Sequence, residues 1–232
     1  MKLHYLVVES FTDYAQTLHD KFGFILTKAP PNEGPYLSLK GRILSYHHGA
    51  EVHCIDFTKL PYRLHRYHPK DHTLLKAFGK LRNPSIVDMT AGFLKDSTLC
   101  CIISSNIIAI ESNPLVAALV ENALLRNPND SIKFIYGASE EILQNTPCDV
   151  ALIDPMFKEK KASSKSQKNL QTLQSLVQDQ DYDHLLITAL RHARQKVLVK
   201  RHPKAPYLGN LTPNHSLTST KKTFRIDVYI PS

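Results

Sequence analysis

The sequence predicts an α/β protein whose main domain is a mostly parallel β-sheet with helices on both faces. From residue 85 onward, short apolar runs alternate with segments of helical periodicity, and this alternation is typical of parallel sheets. The first 80 residues contain short candidate strands without that regularity. We therefore predict a small N-terminal subdomain with strands and a basic segment over residues 1–80, followed by a ligand-binding domain over residues 81–232.

The composition favours a globular protein with an acidic partner. The chain has 232 residues, of which 42% are hydrophobic and 22% are charged, and its net charge is +8. Wholesale disorder is therefore excluded, and nucleic acid is the leading candidate partner, although basic charge also serves solubility. Because no apolar run is long enough for a transmembrane helix or a signal peptide, we expect no membrane association.

The cysteine and histidine residues form no metal-binding pattern. The four cysteines include no C-x-x-C spacing, and no carboxylate-rich or cysteine-rich pattern accompanies three nearby histidines, His65, His68 and His72. Structural zinc sites use closely spaced cysteines and histidines, so we expect no metal. Unpaired cysteines also fit a reducing cytoplasm, which is the predicted location.

The N-terminal elements are predicted from apolar runs and turn residues. Residues 3–8, 36–39 and 43–46 are candidate strands, and the segment 30–35, rich in proline, predicts a turn. The stretch after Phe57 is rich in lysine and arginine up to Arg82. We interpret it as a solvated helix face.

In the main domain, aliphatic runs predict strands, and the periodic segments between them predict helices. The strands lie at residues 86–89, 107–111, 132–136, 150–153, 197–199 and 224–230. The helices lie at residues 96–104, from 114 onward, at 139–143 and at 185–193. A hairpin from residues 217–220 through Lys221 and Lys222 leads into the last strand.

Capping residues mark two of the helix starts. Asn113 and Pro114 suit the N-cap and the first turn of the second helix. Apolar side chains at positions 116, 119, 120, 123 and 124 then share one face of that helix. Ser139 suits the N-cap of the third helix.

Ligand-binding residues are expected where the parallel strands end, because α/β sheets bind ligands beyond the carboxyl ends of their strands. The first strand ends at Asp88, and the turn after it contains Gly92, whose lack of a side chain permits close approach to a ligand. The second strand ends at Glu111, where an acid can accept both hydroxyls of a ribose. The alternative is a strand-end acid that only faces water.

The segment Asp154-Pro155-Met156-Phe157, after the fourth strand, is the most specific signal in the chain. It resembles the Asp/Asn-Pro-Pro-Phe/Tyr motif of methyltransferases that modify exocyclic amino groups of bases. In that chemistry a carboxylate and a backbone carbonyl accept the two N–H groups of the amine. The proline fixes the backbone, and the aromatic ring stacks on the base. The alternative is a surface turn followed by a buried Phe157.

Taken in order, the segments IVDMTAG, IESNPLVAALVENALLR, DPMF, LQSLV and VLVKR resemble the ribosomal RNA small subunit methyltransferase J family. The resemblance implies a class I Rossmann-like methyltransferase fold with an antiparallel last strand, and S-adenosyl-L-methionine as cofactor. It implies methyl transfer to N2 of a guanine in 16S ribosomal RNA, with small-subunit rRNA or the 30S particle as partner. Residues 81–232 would form the cofactor-binding domain.

The resemblance also implies the site residues. Asp154, Pro155 and Phe157 would be catalytic. Together with Asp88 and Gly92 of the first turn, the cofactor-binding residues would be Lys95, Asp96, Glu111, Ser112, Ala138, Ser139 and Asp154. This chain departs from the family pattern at Leu94, Ser112 and Ala138, where the family has glycine, arginine and serine.

A lysine-rich segment and the end of a late strand supply candidate phosphate contacts. These residues are Lys158, Lys160, Lys161, Lys165, Lys200 and Arg201. A solvated loop is the alternative for the lysine-rich segment. The three departures named above also leave open a non-catalytic RNA-binding descendant with a weakened cofactor site. A nucleotide-dependent oxidoreductase is disfavoured because the pattern G-x-G-x-x-G is absent.

Overall fold

Two β-sheets organise the part of the chain that the computed structural model describes, which comprises residues 4–58, 72–155 and 181–231. Each sheet belongs to one compact unit. The first unit combines residues 4–58 with residues 114–128, and the second contains residues 72–113, 129–155 and 181–231. The domain boundary predicted at residue 80 stays a prediction.

The first unit contains a five-stranded mixed sheet. In the order β2-β1-β3-β4-β5, its strands are Ile25–Thr27, Tyr5–Val8, Tyr36–Lys40, Ile43–His48 and Glu51–His53. Strand β1 runs parallel to β2 and β3, whereas β3, β4 and β5 pair antiparallel. The three strands predicted from apolar runs are therefore confirmed. Strands β2 and β5 were not predicted, because three residues are too few to show a period.

Two helices belong to the first unit. Helix α1, Asp13–Phe22, is capped by the Thr12 side chain and ends at Gly23, whose φ of 72° lies in the left-handed region. This helix was not predicted, although its buried residues Ala15, Leu18 and Phe22 have the i, i+3, i+7 spacing of a helix. Helix α4, Pro114–Arg126, starts at the predicted proline and buries most of its side chains.

The second unit contains a seven-stranded sheet with five parallel strands. In the order β11-β12-β10-β9-β6-β7-β8, its strands are His215–Thr218, Arg225–Tyr229, Ala193–Arg201, Cys148–Ile153, Ile86–Asp88, Ile107–Glu111 and Ile132–Tyr136. Neighbours from β10 to β8 pair in parallel, and β12 pairs antiparallel with β10 and β11. The predicted parallel sheet with an antiparallel last strand is confirmed.

The helices of the second unit are α2, α3, α5 and α6, which span Thr73–Phe78, Lys95–Cys100, Ser139–Gln144 and Tyr182–His192. Helix α2 buries five of its six residues, whereas its basic residue Lys76 is exposed, as are Lys80 and Arg82 after it. The interpretation of the basic stretch as a solvated face therefore holds at these three residues, and the basic residues at 63, 66 and 70 lie outside the described ranges. Helix α3 ends earlier than predicted, since the chain tightens into three-residue turns at Cys101 and Ile102.

The N-cap of α5 is a second correction. Ala138 occupies that position and provides no side-chain cap, whereas Ser139 is the first helical residue. The Ser139 hydroxyl is buried and donates instead to the carbonyl of Met89, in the turn after β6. Its bond therefore joins two loops at the same edge of the sheet.

The strand order places a topological switch point between β6 and β9. From β6 the chain continues outward through β7 to β8, and it then returns to build β9 and β10 on the other side of β6. On one face of this sheet, Val87, Ile153, Val197 and Leu185 belong to a single buried core. In sheets of this kind the crevice at the switch point, beyond the carboxyl ends of the strands, receives the ligand.

The described residues contain neither a membrane-spanning helix nor a cluster of metal-binding side chains. In residues 4–58, 72–155 and 181–231, no helix is long and apolar enough to cross a membrane. Over the same ranges, no group of three or more His, Cys, Asp or Glu side chains is arranged to hold a metal ion.

Candidate active site

Acidic side chains meet at the carboxyl ends of the central strands. Asp88 ends β6, Glu111 ends β7, and Asp154 follows the last residue of β9. Asp96, in the first turn of α3, joins Asp154 through a shared lysine partner. Among the described residues, four carboxyl groups therefore lie at this edge of the sheet.

The turn after β6 is fixed by backbone bonds to both neighbouring strands. The Met89 N–H donates to the carbonyl of Leu152 in β9, and the Ala91 N–H donates to the carbonyl of Ile110 in β7, each at 2.9 Å. Two residues of this turn, Gly92 and Leu94, have left-handed φ values of 49° and 58°. Leu94 thus adopts the backbone region that favours glycine, the residue that the family pattern has at this position.

Asp88 is a buried acid at the centre of the site. One carboxyl oxygen accepts the Thr90 N–H at 3.1 Å, and the other accepts the Ser97 hydroxyl. Burial raises the pKa of Asp88 to about 7, and the hydrogen bond from Ser97 only partly offsets it. A cationic ligand near this carboxyl would favour its charged form.

Glu111 connects the first and second strand-end loops. Its carboxylate accepts the Gly92 N–H at 2.9 Å and the Asn113 N–H at 2.7 Å. The residue is 5% exposed, and burial raises its pKa while these backbone donors oppose the rise. Each carboxylate oxygen has two acceptor positions, so Glu111 can accept a ligand hydroxyl in addition to the backbone groups.

Lys200, near the end of β10, links Asp96 and Asp154. Its Nζ donates to Asp96 Oδ2 at 2.6 Å and to Asp154 Oδ2 at 2.7 Å. Burial raises the pKa of Asp154 to about 6. The Lys200 ammonium opposes this rise, and the negative charge of Asp96 adds to it. Burial also opposes ionisation of Asp96, but the Lys200 ammonium prevails and lowers its pKa.

A further hydrogen bond fixes the loop that begins at Asp154. The Asp154 N–H donates to Thr90 Oγ1 at 2.7 Å, so the turn after β6 holds the loop after β9. The Asp154 side chain remains 30% exposed, whereas Pro155 is buried. The carboxyl group is therefore both positioned by the protein and accessible to a ligand.

The chain matches a known protein family. Residues 30–231 match the model of the family described as "Putative SAM-dependent methyltransferase". This match covers most of the chain.

The chain belongs to this methyltransferase family.

Two relatives of the methyltransferase have names that specify ribosomal RNA. It is 34% identical over 192 residues to "Ribosomal RNA small subunit methyltransferase J" of Hydrogenovibrio crunogenus, which covers 76% of this chain and 69% of that protein. It is 37% identical over 159 residues to the protein of the same name from Proteus mirabilis, which covers 63% of each chain. The match thus spans less than two thirds of the Proteus mirabilis protein.

A solved structure shares the fold. The SAM-dependent methyltransferase NGO1261 from Neisseria gonorrhoeae superposes with a TM-score of 0.75 over 97% of this chain and 95% of that chain, at 24% identity. The class I Rossmann-like methyltransferase fold expected from the sequence is confirmed.

The donor and acceptor set of the site fits S-adenosyl-L-methionine, the cofactor of this family. That molecule carries two ribose hydroxyls, an ammonium group and a sulfonium, all of which pair with carboxylates, together with one carboxylate. The methyltransferase presents Glu111 at the second strand end, where a ribose is bound in such sheets. Asp88 and Asp154 supply acceptors for the cationic end, and Lys95 is an exposed cation beside them.

The structure brings most of the sequence-predicted site residues to one edge of the sheet. Asp88, Gly92, Asp96, Glu111, Ser139, Asp154 and Pro155 are joined by the bonds described above or lie beside them in sequence. Lys95, Ser112 and Ala138 are exposed in the same loops. Phe157, Lys158, Lys160, Lys161 and Lys165 lie outside the described residues, and their roles stay predictions.

Lys200 and Arg201, the remaining predicted phosphate contacts, have protein partners. The Lys200 side chain is only 19% exposed, and its ammonium binds the two carboxylates. Arg201 is buried, and its guanidinium donates to the carbonyl of Pro206. These placements give both residues a role inside the protein that the sequence analysis did not foresee. Thr90 and Ser97 were not predicted as site residues either, although both lie within the turn and helix that follow Asp88.

Proposed function

We propose that this methyltransferase transfers a methyl group from S-adenosyl-L-methionine to the exocyclic N2 of a guanine in 16S ribosomal RNA, in the cytoplasm. The names of the relatives support the RNA substrate. The observation that carries the proposal is the Asp154-Pro155 pair at the switch point, where the turn after β6 holds an accessible carboxylate at the same sheet edge as the cofactor acceptors Asp88 and Glu111. Small-subunit rRNA or the 30S particle is the proposed partner.

The proposed mechanism relies on positioning rather than on a covalent enzyme intermediate. The cofactor supplies a methyl group that is already activated by its sulfonium. In this transfer a bond from the guanine nitrogen to the methyl carbon would replace the bond from that carbon to sulfur, whose electron pair would stay on the sulfur, and the proton that the nitrogen loses would pass to water. Holding two reactants in line contributes much of the rate enhancement of such a step.

Asp154 has two tasks in this proposal. The guanine amino nitrogen is a poor nucleophile because its lone pair is delocalised into the ring. The Asp154 carboxylate accepts one N–H of this group, and the Asp154 carbonyl accepts the other. Pro155 fixes the backbone at this point because its ring restricts φ. As positive charge develops on the nitrogen, the nearby carboxylate stabilises it.

The target base must leave any base-paired stack to reach this position. Enzymes that act on a base amino group extrude the nucleotide or use a single-stranded region. Phe157 would stack on the base, and the lysines at 158, 160, 161 and 165 would contact phosphates. These two roles concern residues outside the described ranges and belong to the proposal.

Single-turnover methylation of small-subunit particles at saturating cofactor tests this function directly. Asp154→Asn keeps the side-chain size but presents an N–H donor to an N–H donor. We expect its rate to fall about 10²–10³-fold, as for the loss of one preorganised electrostatic contact. Asp130→Asn, which changes an exposed loop aspartate, serves as the matched control and should retain the rate.

The non-catalytic alternative predicts a different result. In that case the wild-type protein would bind RNA but neither bind labelled cofactor nor transfer its methyl group. A rate for Asp154→Asn within about threefold of wild type would contradict the mechanism assigned to Asp154. Mass spectrometry of rRNA nucleosides from a deletion strain, with and without the restored gene, identifies the modified nucleoside.

A further inference from the structure

Lys200 occupies a position that neither phosphate binding nor solubility explains. It lies one residue beyond Val199, which pairs with Ile153 of β9, and so it stands beside Asp154 in the sheet register. Its ammonium is 2.7 Å from Asp154 Oδ2 and 2.6 Å from Asp96 Oδ2. The Phe224 ring lies over the same ammonium at 5.6 Å and stacks with the His72 ring. A lysine enclosed in this way presents no free cation to an RNA backbone.

We propose that Lys200 is a positioning residue for methyl transfer: its ammonium fixes the Asp154 carboxylate and supplies the counter-charge that keeps it beside Asp96. This inference rests on the proposed function, because it concerns the residue that receives the guanine amino group. Lys200 does not touch the reacting atoms and acts through Asp154.

The electrostatic reason is the proximity of two carboxyl groups. Like charges at a partly buried site disfavour each other, and one carboxyl group then takes up a proton. The Lys200 ammonium bonds to both groups and makes simultaneous ionisation favourable. A protonated Asp154 would have lost the charge that stabilises the developing positive nitrogen, and its proton would compete with the amine for the acceptor oxygen.

The wider charge environment supports this assignment. The titratable and charged groups that act on this cluster from the surrounding elements are His72, Asp88, Lys95, Asp96 and Cys100. Lys95 is exposed and therefore screened by water, whereas the Lys200 side chain is 19% exposed. Even with Lys200 present, burial raises the pKa of Asp154 to about 6. Removing the ammonium therefore shifts this pKa further upward, into the physiological range.

The test compares Lys200→Met with Lys196→Met. Lys196 lies on the same strand, and its partly buried ammonium donates to the carbonyls of Ala77 and Phe78 instead of to carboxylates. Single-turnover methylation is measured against pH at saturating cofactor. We expect the acid limb of the Lys200→Met profile to move up by about one unit or more from a wild-type midpoint near 6, which lowers the rate about twofold at pH 7 and about ninefold at pH 5. Raising the pH should recover much of that loss, and Lys196→Met should keep the wild-type midpoint.

A double variant tests the inference if Lys200→Met is poorly folded, and an NMR titration tests it if no turnover is observed. Lys200→Met combined with Asp96→Asn removes one like charge along with the ammonium, so the midpoint should return toward the wild-type value. NMR titration of the aspartate carboxyl carbons follows Asp154 in the unliganded protein and requires no RNA. Equal Asp154 midpoints in wild type and Lys200→Met would overturn the inference. A wild-type protein that methylates no small-subunit rRNA would instead overturn the proposed function, while the NMR titration would still decide the role of Lys200.

Discussion

The buried carboxyl groups of Asp88 and Glu111 lower the stability of the fold when ionised, but they provide acceptors for a ligand. Both carboxyl groups are buried, and each is held by donors from the turn after β6. Desolvation opposes the ionisation of both acids, so their charged forms become more favourable when a positively charged ligand arrives. The two residues therefore give predictions in which stability and cofactor affinity move separately.

Asp88→Asn should stabilise the protein at alkaline pH while weakening cofactor binding. The folded pKa of about 7 lies above the ordinary value of 3.8, so between these values the folded protein binds a proton that the unfolded chain does not. The stability that Asp88 contributes is therefore fully present below the ordinary pKa of 3.8, and it is lost as the pH rises through the folded pKa of about 7. Asparagine removes the buried charge, and the Ser97 hydroxyl can rotate to accept its N–H. We expect a gain of about 1–2 kcal/mol in the free energy of unfolding near pH 8, and less near pH 5.

Thermal unfolding of Asp88→Asn near pH 8 and near pH 5 measures the change in stability. Calorimetry with S-adenosyl-L-methionine measures the change in cofactor affinity. Asp130→Asn, on an exposed loop, controls for removing a negative charge. Equal stabilisation at both pH values would show that the charge of Asp88 is not responsible.

Glu111→Ala should weaken cofactor binding more than RNA binding. The substitution removes the acceptor for a ribose hydroxyl and also leaves the Gly92 and Asn113 N–H groups without their carboxylate. Loss of hydrogen bonds to a charged group costs about 1.5–3 kcal/mol. Calorimetry on the folded variant measures the change, and an unaltered cofactor affinity would remove Glu111 from the site.

At the scale of elements, α3 begins from a residue with an unfavourable backbone. Leu94 occupies its N-cap position with φ 58° and has no side-chain cap, yet its side chain is 1% exposed. Backbone strain and side-chain burial therefore oppose each other at one position. The left-handed region costs about 1–2 kcal/mol for a residue with a Cβ, whereas truncating a buried leucine costs about 2–5 kcal/mol.

Leu94→Gly should therefore destabilise the protein by about 1–3 kcal/mol, since the lost burial outweighs the relieved strain. Lys222 has a similar φ of 54° but is exposed, so Lys222→Gly tests strain relief without loss of burial. We expect that control to be neutral or slightly stabilising. Denaturant unfolding measures both variants, and a stabilised Leu94→Gly would reverse this ranking of the two effects.

A buried amide on α4 bonds to three other parts of the first unit. Asn122 Oδ1 accepts the Leu44 N–H at 3.0 Å, and its Nδ2 donates to the Arg42 carbonyl at 2.9 Å and to the Tyr14 hydroxyl at 3.0 Å. The residue is 2% exposed. Because the amide satisfies groups from α1, β4 and the β3–β4 turn, its bonds link three elements.

Asn122→Ala should lower the free energy of unfolding by about 2–4 kcal/mol, because buried backbone groups would lose their partners. Gln16→Ala, which removes an exposed side-chain bond within α1, should cost less than about 0.5 kcal/mol. Denaturant unfolding of both variants gives the comparison. Similar losses for the two would show that the buried amide has no special contribution.

For the whole molecule, the net charge of +8 predicts RNA binding that weakens steeply with salt. If about four phosphates are neutralised, a plot of log affinity against log salt concentration should have a slope of roughly −3 to −4. Filter binding over a range of salt concentrations measures it. Replacing the lysines at 158, 160, 161 and 165 with serine should make the slope shallower, whereas Lys200→Met should not. A flat response of the wild type would mean that the basic charge only serves solubility.

The sequence predicted most of the second unit because its information is local. Strands β7 and β8 have the bounds expected from continuous apolar runs, and α4 starts at the proline that suits its first turn. The elements that were missed, α1, β2 and β5, lack such runs. Several candidate site residues could also be predicted from the sequence alone, because the strand-end acids and the Asp154-Pro155 pair follow directly on apolar runs that predict strands.

By itself, therefore, the sequence determined the α/β class, the parallel sheet, the strand-end acids and the family. Only the tertiary structure decided what those acids do to one another. Lys200 lies 104 residues from Asp96 and 46 from Asp154, and the bond between Glu111 and Gly92 spans 19 residues. Strand order and register bring these groups together, and neither is encoded in a short segment. The same lysine that looks like a phosphate contact in the sequence is, in the fold, the counter-charge between two carboxylates.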